Sequence, residues 1–135
     1  MTRVAITAPG AATVGPYSHA VEGAGLLFLS GQTPVDPATG ELVTGSLGEQ
    51  TAQCFRNLNA VLEAAGLTLD DVVNVQVYLT DMNDFAAMNA VYSQQFGKPF
   101  PARTTIGVAS LPLGASIEIG MTARTDRGTD SPYVI

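Results

Sequence analysis

Alternating and contiguous runs of hydrophobic residues predict several β-strands along the chain. Residues 26–30 form an apolar run between two glycines, as expected for a buried strand. Residues 73–79, 104–108 and 117–123 alternate between apolar and polar side chains, a period of two that is typical of strands with one buried face. The segment 36–40, Asp-Pro-Ala-Thr-Gly, combines a fixed proline φ with a flexible glycine, so we expect a hairpin between two short strands there.

Two further segments have the three- and four-residue spacing of amphipathic helices. The first runs from residue 47 to residue 65, and Ser46 and Glu49 have the spacing of a capping box at its start. Asp81 is suited to cap the second, whose apolar stripe comprises Phe85, Met88, Val91, Tyr92 and Phe96. The order of the elements predicts an α+β fold in which both helices pack on one face of a sheet, because each helix has a single apolar stripe to bury.

The sheet face opposite the helices is predicted to be polar but nearly uncharged. This composition is too polar for a monomer core and too poor in charge for an ordinary solvated surface, so we expect burial against copies of the same chain. The residues assigned to this face are Asn74, Gln76, Tyr78, Thr80, Thr105, Ser116 and Thr122.

Length and composition narrow the class of protein. The 135 residues suit one domain, which we place at 1–124, followed by a loose C-terminal tail at 125–135. A net charge of −6 opposes binding to nucleic acid or to an anionic membrane surface. No apolar run is long enough to span a bilayer and no leader is apparent, so we expect a cytoplasmic protein. One cysteine and one histidine are too few for a structural zinc site, so we expect no metal.

Two charged residues lie on the polar strand faces near the C-terminus, Arg103 and Glu118. If the last two strands form an antiparallel hairpin around residues 110–115, Arg103, Thr105 and Glu118 point to the same face, away from the helices. A guanidinium offers two parallel donors to a carboxylate, and a nearby glutamate can accept a proton from water. The pair indicates a site for the attack of water on a small acid, in a cleft at a subunit boundary. A structural ion pair, or a contact to a neighbouring subunit, explains the pattern equally well.

Other polar residues give weaker signals. Tyr17 and Ser30 offer hydroxyl groups within glycine-rich segments, where the backbone can approach a ligand closely. Taken alone, Tyr17 is more often a packing residue and Asn89 is more often simply solvated. Cys54 lies on the apolar stripe of the first helix, which indicates a buried, unreactive thiol. The chain has no nucleotide-binding glycine loop, zinc-protease motif or serine-hydrolase motif.

Six separated segments of the chain are distinctive when taken together. They are Gly15–Ser18, Ser30–Gln32 with Asp36–Gly40, Asn57–Leu58 through Ala64–Leu67, Val77–Phe85, Pro101–Arg103, and Leu111–Pro112 leading to Ile117–Ile119. From about Ala8 to Arg124, in their order and without large insertions, they resemble the RidA/YjgF family of reactive-intermediate deaminases. On these segments the chain is identified as a member of that family.

The resemblance implies a chorismate-mutase-like α+β subunit with a mixed sheet, assembled as a homotrimer with clefts between subunits. Family members of the RidA type hydrolyse 2-imino acids and their 2-enamine tautomers, such as 2-aminoacrylate, to 2-oxo acids and ammonia without a cofactor. By matching motif, Arg103 would hold the substrate carboxylate and Glu118 would position or activate the attacking water. The residues lining the pocket would be Tyr17, Ser30, Gly31 and Asn89, with help from the backbone amide of Thr105.

Four positions depart from the family pattern. Thr105 stands where cysteine is frequent, Gly107 and Gly120 stand where glutamate is common, and His19 stands where glutamine is frequent. The smaller residues leave open a deaminase of a bulkier unsaturated amino acid, of the aminomuconate type. A non-catalytic module that binds small carboxylates, or acts like a chaperone, is also left open and would need Arg103 but not Glu118. A ribonuclease activity is least favoured, because the chain is acidic and has no basic patch interleaved with aromatics.

Overall fold

The computed structural model describes residues 2–9 and 15–126. Eight strands, two α-helices and three short 3₁₀ helices are present in this part of the chain. The bounds of the strands and α-helices in chain order are β1 Val4–Ile6, β2 Ala20–Gly23, β3 Leu26–Gln32, β4 Val35–Asp36, β5 Glu41–Leu42, α1 Leu47–Ala64, β6 Val72–Leu79, α2 Phe85–Gln95, β7 Ala102–Gly107 and β8 Ile117–Arg124. Most of the segment predicted to be a tail, residues 127–135, lies outside the described residues.

Six of the strands form one mixed sheet in the order β1-β2-β3-β8-β6-β7. Its neighbouring strands are antiparallel except β6 and β7, which are parallel and are connected by α2. β4 and β5 form a separate hairpin, in which the amides of Thr39 and Gly40 donate to the Asp36 carbonyl. The predicted α+β fold and the hairpin at 36–40 are confirmed.

Both helices pack on the same face of the sheet, as predicted. α1 begins after Ser46, whose Oγ accepts a 3.2 Å hydrogen bond from the Glu49 amide. Asp81 caps a short turn, and α2 begins only after that turn, at Phe85. The core residues that both layers share include Leu27, Val75, Val77, Ile117, Ile119 and Met121 from the sheet and Phe55, Leu58, Val61, Leu62 and Met88 from the helices. Neither helix is long and apolar enough to cross a membrane.

Cys54 lies in this core and is fully buried. Burial raises the pKa of its thiol well above the ordinary range, and the negative charge of Glu118 adds to the effect. The predicted burial of Cys54 is confirmed, and a buried thiol with a raised pKa is typical of an unreactive cysteine.

The last two strands, β7 and β8, are not neighbours, and the predicted antiparallel hairpin between them is wrong. β6 lies between them and pairs in parallel with β7 and antiparallel with β8. The reason lies in α2, because two strands joined through a helix form a parallel pair. β8 then enters the sheet on the other side of β6, between β6 and β3.

This topology changes which side chains share a face of the sheet. Arg103 pairs with Val75, which is fully buried beneath the helices, and Thr105 is two positions further along the same strand. Both therefore point to the helix side. Glu118 pairs with Tyr78 on the opposite face. The prediction that Arg103, Thr105 and Glu118 share one face away from the helices is wrong, because it rested on the hairpin.

Apart from Thr105, the face opposite the helices has the predicted mixture of apolar and uncharged polar groups. Phe28 and Ile106 on this face are 49% and 45% exposed in the single chain. Beside them, the Gln76 side-chain amide donates a hydrogen bond to that of Asn74. Large apolar side chains are exposed here among uncharged polar groups, a composition typical of an interface.

Candidate functional site

Arg103 is held at the edge of the sheet by side chains of α2. Its Nη1 donates a 2.7 Å hydrogen bond to Asn89 Oδ1. Its Cζ lies 4.6 Å from the centroid of the Tyr92 ring and 5.6 Å from that of Phe85. Phe85, Asn89 and Tyr92 share one face of α2, since they are spaced four and three residues apart. The four residues, which we call the Arg103 cluster, fix the guanidinium and leave most of its five N–H donors available.

A cavity of about 300 Å³ opens beside the Arg103 cluster. Asn89, Tyr92 and Arg103 form part of its wall, together with apolar side chains that include Phe100. Tyr92 is 5% exposed, and burial raises the pKa of its hydroxyl although the positive charge of Arg103 lowers it. The Tyr92 side chain therefore supports the guanidinium as a neutral aromatic ring.

Glu118 lies in a second cavity, of about 280 Å³, on the other side of the sheet. The lining residues of this Glu118 cavity are Tyr17, Ser30, Gly31, Gln32, Thr33, Val35, Pro112, Leu113 and Glu118. Tyr17 and Leu113 are 41% and 52% exposed. Leu113 also has a φ of +64°, a left-handed conformation that is unfavourable for a leucine.

The backbone of β3 is irregular where it passes Glu118. Its register with β8 shifts between Leu29 and Gln32, so Ser30 and Gly31 form a bulge. Ser30 is fixed there, since its Oγ donates a 2.7 Å hydrogen bond to the Ser18 carbonyl. Gly31 allows a close approach, because a Cβ at this position would lie 2.5 Å from Glu118 Oε2. The bulge and the glycine together make room for the carboxylate.

The Glu118 carboxylate is suited to accept a proton. Burial raises its pKa above the ordinary range for glutamate. Among residues 2–9 and 15–126, no donor or cation contacts the carboxylate to oppose that effect. Within the same ranges, no three His, Cys, Asp or Glu side chains come together in a way that could hold a metal ion.

The structure divides the predicted site residues into two groups. Tyr17, Ser30, Gly31 and Glu118 lie together around the Glu118 cavity, whereas Asn89 lies with Arg103 on the helix side. Thr105 lies on the same strand and the same face as Arg103, with its Oγ1 buried and without a partner in the described chain.

Within one protomer, the group around Arg103 and the group around Glu118 lie far apart. Arg103 and Glu118 are separated by two strand spacings and by three residue positions along β6. At ~4.8 Å between strands and ~3.3 Å per residue, their Cα atoms are about 14 Å apart, and the side chains point to opposite faces. A small ligand cannot contact both side chains within one chain.

Sequence reasoning missed the aromatic support of Arg103. Phe85 and Tyr92 were assigned only to the apolar stripe of α2, although their spacing to Asn89 places all three on one helix face. It also missed Val35 and Leu113 in the Glu118 cavity. No local pattern indicates these two residues, because the bulge and the loop before β8 bring them to Glu118.

The chain matches the family described as Endoribonuclease L-PSP, which is the RidA/YjgF family, over residues 6–125. The chain belongs to the RidA/YjgF family. A RutC family protein of Pyrococcus horikoshii is 49% identical over 119 residues, which cover 88% of this chain and 94% of that protein. The family predicted from the six segments is therefore confirmed.

Two further RidA/YjgF proteins are informative. A protein of Dermatophagoides farinae named 2-iminobutanoate/2-iminopropanoate deaminase is 45% identical over 106 residues, or 78% of this chain and 84% of that protein. The crystal structure of RidA from an Antarctic Psychrobacter has a TM-score of 0.86 at 42% identity, and the match covers 90% of this chain and 99% of that chain. The fold of the described residues is thus that of RidA structures.

Proposed function

We propose that this RidA/YjgF protein hydrolyses 2-imino acids, and their 2-enamine tautomers, to 2-oxo acids and ammonia. The observation that carries the proposal is a pair of half-sites: an oriented guanidinium beside one cavity, and a carboxylate of raised pKa in another. The first suits the carboxylate that every 2-imino acid has, and the second suits the activation of water. The name of the Dermatophagoides farinae relative supports this reaction.

The active site in this proposal forms between two copies of the chain. The Arg103 cluster of one protomer faces the Glu118 cavity of the next, which resolves the separation of the two groups within one protomer. The exposed apolar residues opposite the helices, Phe28 and Ile106, support burial of that face in an assembly. In a cyclic homotrimer each protomer contributes both half-sites, so three equivalent sites result.

Arg103 binds the substrate carboxylate in this scheme. The Asn89 amide takes one of its donors, and the rings of Tyr92 and Phe85 hold the guanidinium plane. The remaining donors can form parallel hydrogen bonds to the two carboxylate oxygens. The chain's net charge of −6 repels an anionic substrate at long range, so this local contact has to supply most of the attraction.

Glu118 activates the water. Its carboxylate takes a proton from the water as the water oxygen bonds to C2 of the N-protonated imine, and the C2=N π electrons move to the nitrogen, which gives a neutral carbinolamine. Glu118 returns this proton to the nitrogen, the C2–N bond breaks to release ammonia, and the hydroxyl proton passes back to the Glu118 carboxylate as the C2=O bond forms. An enamine first takes a proton at C3 to become the same N-protonated imine. One water is consumed for each ammonia released, and no oxidation or reduction occurs. The raised pKa makes Glu118 a stronger base than an exposed glutamate.

The test is an assay in which an amino-acid oxidase generates 2-iminopropanoate or 2-iminobutanoate and the loss of imine is followed. The wild-type protein is expected to accelerate this loss, and Arg103→Ala to lower kcat/KM by about 100-fold or more, since the carboxylate loses its partner. Arg3→Ala removes an exposed guanidinium just before β1 and serves as the matched control, with wild-type rates expected.

The proposal is overturned if the wild-type protein leaves the rate of imine loss unchanged, or if a folded Arg103→Ala variant retains wild-type turnover. The same preparation is tested against single-stranded RNA, because the family description includes an endoribonuclease. RNA cleavage without imine hydrolysis would replace the proposed function.

A further inference from the structure

A chain of buried side-chain amides runs through α1 to the wall of the Glu118 cavity. Arg56 donates from Nε and Nη2 to Gln53 Oε1, at 3.2 and 2.8 Å. Gln53 Nε2 donates a 2.9 Å hydrogen bond to Asn57 Oδ1. Asn57 Nδ2 in turn donates to the backbone carbonyls of Val35 and Thr33, at 2.9 and 3.3 Å. The chain thus connects a surface arginine to two residues that line the cavity.

The two ends of this chain determine the orientation of both amides. The carbonyls of Thr33 and Val35 only accept, so Asn57 must present its NH₂ group to them. The guanidinium of Arg56 only donates, so Gln53 must present its oxygen to it. The Gln53–Asn57 hydrogen bond then has one possible direction, which is the one observed. Asn57 is 1% exposed, and its polar atoms are all directed along this chain.

The segment that Asn57 holds is paired on one side with β5, where the Val43 amide donates to the Pro34 carbonyl at 2.9 Å and Val35 lies opposite Leu42. The Val35 amide donates to the Thr33 carbonyl at 2.8 Å, which closes a three-residue turn around Pro34. The Val35 carbonyl points away from β5, and Asn57 supplies its donor. The turn follows directly on the Ser30–Gly31 bulge that accommodates the Glu118 carboxylate.

We infer that Asn57 is a positioning residue of the proposed active site, which holds the Thr33–Val35 wall against the Glu118 cavity by donating to both carbonyls. An apolar side chain would fill the same place in the core, but it would leave the Val35 carbonyl buried without a donor. The turn would then shift, and the bulge beside Glu118 would shift with it. The inference rests on the proposed hydrolysis for its activity readout. A second readout, hydrogen exchange of the backbone amides, does not depend on that activity.

The experiment compares Asn57→Asp and Asn57→Ala with the wild-type protein. Asn57→Asp keeps the shape but turns an acceptor toward two carbonyls, so kcat is expected to fall by ~10-fold or more, and at least as far as in Asn57→Ala. A side chain that only fills space would give the opposite order, with Asn57→Asp close to wild type. Asn59→Ala is the matched control, because Asn59 lies on the same helix and donates only to the side chain of Glu63.

The second readout is hydrogen exchange of the backbone amides of residues 30–36 in the folded variants. In both Asn57 variants, these backbone amides are expected to exchange at least several-fold faster than in the wild type, whereas Asn59→Ala is expected to leave their exchange rates unchanged.

The inference is overturned, while the proposed hydrolysis stands, if the Asn57→Ala variant has the exchange rates and the kcat of the wild-type protein. If the wild-type protein hydrolyses no imine, the proposed function fails and the exchange rates alone decide the role of Asn57. If both Asn57 variants fail to fold, exchange of the Asn57 side-chain NH₂ protons in the wild-type protein decides, and protection no greater than that of the Asn59 side-chain NH₂ group overturns the inference.

Discussion

The Glu118 side chain links the proposed chemistry to the stability of the fold. Burial raises its pKa, and within the described chain no donor or cation compensates the charged form. The folded state therefore binds a proton more tightly than the unfolded state does. Its contribution to stability is fully present below the ordinary glutamate pKa and is lost as the pH rises through the raised, folded-state pKa.

Replacing Glu118 by Gln is expected to separate stability from activity. In the unassembled protomer at neutral pH, the variant is expected to have a higher free energy of unfolding than the wild type, because the partly buried charge is gone and no neighbouring Arg103 faces it. The difference should disappear below about pH 4, where the wild-type side chain is also neutral. Hydrolysis should fall by about 100-fold or more, since no base remains. Denaturant unfolding between pH 3 and 8, together with the imine assay, measures both effects.

Glu41→Gln is the control for both measurements. Glu41 is exposed on β5, so its substitution should change neither the free energy of unfolding nor the rate of imine hydrolysis. An unassembled Glu118→Gln protomer that is less stable than the unassembled wild type at pH 7 would contradict the effect of burial. A variant with full hydrolysis would contradict the role of Glu118 as the base, whereas loss of hydrolysis with retained binding of a 2-oxo acid supports it.

At the scale of elements, the bulge in β3 matters most for the site. It brings Gly31 so close to Glu118 that a methyl group and the carboxylate cannot occupy their present positions together. The atoms that a Cβ would meet are Oε2, Cδ and Cγ of Glu118, which form the flexible end of a side chain rather than backbone. An added methyl group therefore displaces the Glu118 carboxylate before it disturbs the fold.

Gly31→Ala is expected to lower kcat by ~10- to 100-fold through this displacement. The melting temperature should change by only a few degrees, because the side chain can swing away. Gly23→Ala is the matched control, since Gly23 lies in β2 of the same sheet and a Cβ there has no neighbour within 4 Å. Wild-type kcat in Gly31→Ala would show that the position of the carboxylate is less constrained than the bulge indicates.

Sequence patterns predicted where the strands and helices lie better than they predicted which strands pair with each other. Alternation along 73–79 and 117–123 identified β6 and β8, because burial of one face repeats every two residues. Alternation carries no information on which strands pair, so Arg103 and Glu118 were placed on one face. The order strand, helix, strand around α2 contained the missing signal, since it favours a parallel pair of β6 and β7. The site residues themselves came from motifs, and only the sheet topology could separate them into two groups.

For the whole molecule, the decisive feature is that the two half-sites cannot meet within one chain. Arg103 points to the helix side and Glu118 to the opposite side, about 14 Å away at the Cα positions. A second copy must complete each site if both side chains act on one substrate. The sequence suggested a subunit interface through its uncharged polar face, but one chain's pattern does not specify how copies are arranged.

The most direct test of this account mixes Arg103→Ala and Glu118→Gln, two variants that are each expected to be inactive. After the two are unfolded together at equal amounts and refolded, random assembly into cyclic trimers pairs an intact Arg103 with an intact Glu118 at about one quarter of the sites. The account predicts recovery of about one quarter of wild-type imine hydrolysis. No recovery in mixed oligomers, where every protomer still carries one defect, would contradict a site shared between protomers.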